Sequence, residues 1–71
     1  MSGIPTDLSC ARVVRALQRA GFSIVREGRH AVMAKGDRLV VVPRHTLIKR
    51  ETLRAIVKDA GLSIDAFCEL I

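Results

Sequence analysis

Aromatic side chains are nearly missing from this chain: Phe22 and Phe67 stand alone, without a single Trp or Tyr. A core of aliphatic side chains is therefore expected, and a row of aromatic platforms for stacking unpaired bases is excluded. Cysteine is scarce as well. Cys10 and Cys68 lie near opposite ends with no CxxC pairing, so they read as small hydrophobes of a reducing compartment rather than a disulfide framework. His30 and His45 are the other ligand-type side chains, but the spacing of the four matches no common zinc pattern. Neither a metal nor a cofactor is expected. No glycine-rich phosphate loop occurs. No apolar run approaches the ~18 residues of a membrane span, and no signal peptide or lipidation motif is visible. A cytoplasmic protein without membrane contact is expected.

Acidic residues are few and unevenly placed. The 71 residues carry 12 Lys and Arg against 7 Asp and Glu, a net charge of +5. All twelve bases fall within residues 8–58, where only Glu27, Asp37 and Glu51 oppose them, leaving that stretch at +9. Asp7 at the front and Asp59, Asp65 and Glu69 at the back hold the balance. A body this positive points to a polyanion or an acidic partner protein. The length suits one domain, 1–71, with a modest core, and the 49% hydrophobic content argues against disorder.

Residues 1–8 hold Gly3 and Pro5 without periodicity and read as a loose arm. A helix is expected over about 10–20, with Ser9 as N-cap and Gly21 just past its end. Cys10, Val13, Val14, Leu17 and Ala20 share one face of it, and Arg12, Arg15 and Arg19 line the opposite one. Three short runs follow, Phe22–Glu27, His30–Lys35 and Arg38–Pro43, separated by turns at Gly28 and at Lys35-Gly36-Asp37. Tight glycine turns between β-branched runs predict an antiparallel meander. Leu39-Val40-Val41-Val42 is apolar on both faces, which predicts cover on both, the second cover coming from another chain. Residues 44–49 read as a loop. A second helix is expected over about 50–60, with Leu53, Ile56, Val57 and Ala60 inward, Arg50, Arg54 and Lys58 as a basic stripe, and Gly61 as its stop. Ser63 then caps a short terminal helix within 63–71. The predicted architecture is α+β: an α-β-β-β-α order with a three-stranded antiparallel sheet, helices on one face and a short added helix.

Acids do not intersperse on either basic stripe, which fits phosphate contacts rather than a merely solvated face. With so few aromatics, shape-based recognition of duplex RNA suits the chain better than base stacking. Helix-turn-helix DNA binding is disfavoured because the strands separate the two helices.

That element order is the one found in double-stranded-RNA-binding domains, and local strings narrow the match. They are Arg19-Ala20-Gly21-Phe22, Glu27-Gly28-Arg29-His30, Val40-Val41-Val42-Pro43 with Arg44-His45, Glu51-Thr52-Leu53-Arg54-Ala55-Ile56, and Lys58-Asp59-Ala60-Gly61-Leu62. In this order and spacing, over about residues 11–62, the chain resembles the HicA family. The resemblance implies a double-stranded-RNA-binding-like fold, metal-independent cleavage of messenger RNA, and neutralisation by a HicB-type antitoxin. It also implies that His30, closing the Gly-x-His turn opened by Gly28, is the essential histidine. The chain departs from the family pattern at three positions. Arg29 replaces a small residue, Ala31 stands where some members carry a second His, and Glu51 takes the place of a Gly.

RNA breaks without a metal when a base removes the 2′-hydroxyl proton, the oxygen attacks phosphorus, and an acid protonates the leaving 5′-oxygen. Histidine suits either role near neutrality. The charge gathering on phosphorus calls for cations, for which Arg29, Lys35 and Arg44 are candidates by sequence proximity. His45 is a candidate for the second acid–base group, with capping of the following loop as its plainer role. Two other functions stay open: a catalytically inactive RNA-binding module, suggested by Arg29 and Ala31, and a protein-interaction domain of the same fold, a homodimer included.

Overall fold

The computed structural model describes residues 8–71. Ser9 opens helix α1 (Cys10–Arg19), its hydroxyl accepting from the Arg12 amide at 3.3 Å. Strands β1 (Ser23–Glu27), β2 (His30–Lys35) and β3 (Arg38–Pro43) follow, then helices α2 (Arg50–Asp59) and α3 (Ile64–Glu69). Ser63 caps α3 through the Ala66 amide at 3.1 Å, as its position suggests. Helix α2 begins at Lys49 without a side-chain cap.

The strands form an antiparallel sheet in the order β1-β2-β3, so β2 is central. At the β2–β3 turn Gly36 takes φ +60, a left-handed conformation that suits glycine at the head of a two-residue hairpin loop. β2 and β3 pair without interruption from His30 opposite Pro43 to Lys35 opposite Arg38. β1 and β2 do not. Ile24 opposes Met33 while Arg26 opposes Val32, so Val25 is an extra residue, a β-bulge. Phe22 lies just before β1 and plugs the core instead of pairing in the sheet.

All the described helices pack on one face. Val13, Ala16 and Leu17 of α1, Ala31 and Met33 of β2, Val40 and Val42 of β3, and Leu53, Ile56 and Val57 of α2 form one buried cluster. Phe67 of α3 joins it, fully buried. Within α1, Ala16 is buried while Val14 and Ala20 are only half-buried, because the helix leans towards the Cys10–Val13–Leu17 line.

Within this chain β3 is covered on one side only: Leu39 and Val41 are 60% and 46% exposed, and Val25 joins them on the open side of the sheet at 58%, the side where cover by another chain is expected. One expectation changes. Loose structure over 1–8 fails at its last residue, residues 1–7 lying outside those described. Leu8 is buried and pairs with Ile48, whose amide donates to the Leu8 carbonyl at 2.8 Å, and the Cys10 amide donates to His45 O at 3.1 Å. A two-residue bridge thus ties the entry of α1 to the segment before α2. No helix among the described residues is long and apolar enough to cross a membrane.

Candidate functional site

Alternation along β2 decides where His30 points. Ala31 and Met33 are buried under the helices, so His30, Val32 and Ala34 face the open side. Their β3 partners Pro43, Val41 and Leu39 share that side. His30 is exposed, at the first position of the central strand rather than on a sheet edge.

The bulge in β1 adds a residue that the sequence reading did not assign to the site. With Ile24 facing the core opposite Met33, unbroken alternation places Arg26 in the core as well. The extra residue at Val25 resets the phase, and Arg26 emerges opposite Val32 on the open face. An open cleft of about 460 Å³ results, lined by Arg26, Gly28, Arg29, His30, Val32 and Val41. Two arginines and one histidine share it with the aliphatic side chains of Val32 and Val41, and among the described residues no carboxylate lines the cleft. The one sequence signal for Arg26 was an arginine at a position that strict alternation buries, a conflict that a bulge relieves.

Among the described residues neither the Arg26 nor the Arg29 side chain makes a hydrogen bond or ion pair within the protein. The nearest acid, Glu27, is already engaged. Arg44 Nη2 donates to Glu27 Oε1 at 2.8 Å, and Arg44 Nε donates to the Gly28 carbonyl at 2.9 Å. Arg44 therefore acts as a clamp on the β1–β2 turn and keeps the Glu27 carboxylate paired. Gly28 occupies the turn, as expected, but without a positive φ, and nothing lies within 4 Å of where its Cβ would sit.

The structure separates the other candidates from this cleft. Lys35 stands at the far end of β2, roughly 16 Å along the strand from His30, where its Nζ donates to the Ala20 carbonyl at 2.7 Å and closes α1. His45 lines a different cavity with Ser9, Cys10, Ala11, Glu27, Arg44 and Thr46, on the helix side of the sheet. Arg12, Arg15 and Arg19 line a groove with Leu70 and Ile71, and Arg19 Nη1 donates to the Leu70 carbonyl at 2.8 Å. Arg50, Arg54 and Lys58 lie exposed along α2. Both basic stripes thus belong to the helical layer and His30 to the opposite face. Cys10 is buried among apolar neighbours. Burial pushes its thiol above the usual range, and the Arg44 guanidinium opposes that in part.

An imidazole that is open to solvent and flanked by unpaired cations is suited to proton transfer beside a phosphate. A family model matches this chain over residues 10–62, that of the HicA toxin of bacterial toxin-antitoxin systems. The chain belongs to the HicA toxin family. Its matched region runs from the first residue of α1 through Leu62 and takes in the whole His30 cleft, both basic stripes and the Arg44 clamp. Helix α3 lies beyond the match, yet it supplies Phe67 to the core and the carbonyl that anchors Arg19. No curated protein matches the chain.

Proposed function

We propose that this toxin is a metal-independent endoribonuclease of the cytoplasm that cleaves messenger RNA, with His30 as general base or acid. The observation carrying this reading is the placement of His30: exposed, in one cleft with Arg26 and Arg29, which no carboxylate among the described residues lines. A phosphodiester entering such a cleft meets two cations and one group able to exchange a proton near neutral pH. The departure at Ala31 leaves the cleft intact, because that side chain is 1% exposed and faces the helices. Arg29 adds a cation to the mouth of the cleft, which favours phosphate.

The stripes Arg12, Arg15 and Arg19 and Arg50, Arg54 and Lys58 extend the positive surface over the helical layer, where they hold RNA flanking the cleavage point or an acidic partner. A HicB-type antitoxin fits the open face of the sheet. Val25, Leu39 and Val41 offer apolar area next to the arginines, so an acidic and apolar surface seated there covers His30 as it binds.

The test is a mixed RNA substrate in excess EDTA, with wild type beside His30→Ala. Cleavage by wild type that disappears in the variant supports the reading. RNA binding with a steep salt dependence but no cleavage by either protein replaces it with a non-catalytic RNA-binding role.

A further inference from the structure

From the bulge and the cleft together we infer that Arg26 is a second catalytic residue, which holds the scissile phosphate beside His30. This rests on the ribonuclease reading above and adds to it the group that receives the charge. Arg26 opposes Val32, which is two residues from His30 on the same face, so Arg26 and His30 are diagonal neighbours across the β1–β2 pair. Such neighbours lie about 7–8 Å apart at the backbone, well within reach of an arginine. Both line one cleft, and Arg26 has no partner within the protein among the described residues. Arg29, by contrast, sits in the turn itself, and Arg44 is occupied by Glu27 and Gly28.

The bulge is what makes this possible. Paired without a bulge, Val25 opposes Val32 and Arg26 takes the place opposite Ala31 that Glu27 now holds, on the side of the sheet away from His30. Bulges re-aim side chains next to active sites. In the reaction the 2′-oxygen forms its bond to phosphorus as its proton leaves to a base. The bond to the 5′-oxygen then breaks as that oxygen takes up a proton from an acid. Arg26 exchanges no proton. Its planar fork binds the two non-bridging oxygens, whose charge grows in the transition state.

The experiment compares wild type, Arg26→Ala and Arg26→Lys, each checked for native circular dichroism, in two assays. In single-turnover RNA cleavage, Arg26→Ala is expected to slow the reaction about 100-fold, the scale of removing one preorganised oxyanion donor. Arg26→Lys is expected to fall between, since it keeps charge but loses the fork. In the second assay a 2′-O-methyl RNA oligonucleotide, which cannot be cleaved, is titrated while the His30 ring protons are followed by NMR. Wild type is expected to show shifts at His30, and Arg26→Ala a salt slope shallower by about 0.7, one phosphate contact on a single strand. Cleavage by Arg26→Ala within twofold of wild type overturns the inference. If wild type does not cleave, the ribonuclease reading fails and the oligonucleotide alone decides on Arg26. An unchanged salt slope, or no response at His30, then overturns the contact, and the shallower slope supports it.

Discussion

Phe67→Ala tests whether α3, which lies outside the family match, is part of the folding unit. Phe67 is fully buried and is the largest such side chain in the core. Replacing a buried Phe by Ala costs about 3–5 kcal/mol, from lost transfer energy and an unfilled cavity. A chain of 71 residues has a total stability of roughly 4–11 kcal/mol. The substitution therefore removes a large fraction of it. Each kcal/mol shifts the midpoint of a domain this size by about 4–8 °C, so the loss exceeds about 12 °C. Arg19→Ala removes only an exposed hydrogen bond to the Leu70 carbonyl, and about 1 kcal/mol is expected. Urea unfolding followed by circular dichroism measures both, with an unchanged slope showing that the same surface is exposed. A Phe67→Ala variant within 1 kcal/mol of wild type refutes the packing of α3 described above.

Glycines at two turns should behave oppositely. Gly61 holds φ +74 with the Arg38 guanidinium against the space a Cβ would need, so Gly61→Ala loses about 1 kcal/mol or more, whereas Gly28→Ala changes thermal stability by less than about 0.5 kcal/mol. Arg44→Ala removes an exposed pair and one turn hydrogen bond. The expected stability loss is only about 0.5–1.5 kcal/mol, but amide exchange at Gly28, Arg29 and His30 should speed up in hydrogen-exchange NMR; unchanged exchange rules out a clamp. Because burial raises the Cys10 thiol, the folded state keeps that proton to higher pH than the unfolded chain. Its contribution is complete below the usual thiol range and is lost as pH rises through the raised one. Native protein is thus expected to alkylate more slowly at Cys10 than urea-unfolded protein at pH 8, and equal rates contradict a buried thiol.

Much of the fold was legible in local pattern. Ser9 and Ser63 precede apolar-periodic stretches and do cap helices. The His30–Lys35 and Arg38–Pro43 runs, bounded by Gly28 and Gly36, became β2 and β3 at those residues. What stayed hidden depended on partners distant in sequence. Leu8 has no periodic neighbours, and its burial comes from pairing with Ile48. Lys35 and Arg44 are candidate cations for His30 by sequence proximity, but Lys35 is held at the Ala20 carbonyl at the far end of β2, and Arg44 is engaged by Glu27 and the Gly28 carbonyl. The HicA resemblance led to His30 but not to Arg26. A one-residue bulge inverts a strand's facing, and no period-two pattern shows where it falls until the partner strand fixes the register. The exposure of Leu39 and Val41 agrees with an apolar strand whose second cover is not supplied by its own chain.

The chemistry assigned to His30 is tested most directly by the ends of the RNA fragments. Oligonucleotide cleaved in EDTA is analysed by mass spectrometry, with His30→Ala beside wild type. Attack by the 2′-oxygen requires a 2′,3′-cyclic phosphate, or the 3′-phosphate from its opening, on one fragment and a 5′-hydroxyl on the other. Those ends from wild type, and none from the variant, are the predicted result. A 5′-phosphate paired with a 3′-hydroxyl, or equal cleavage by His30→Ala, contradicts the account.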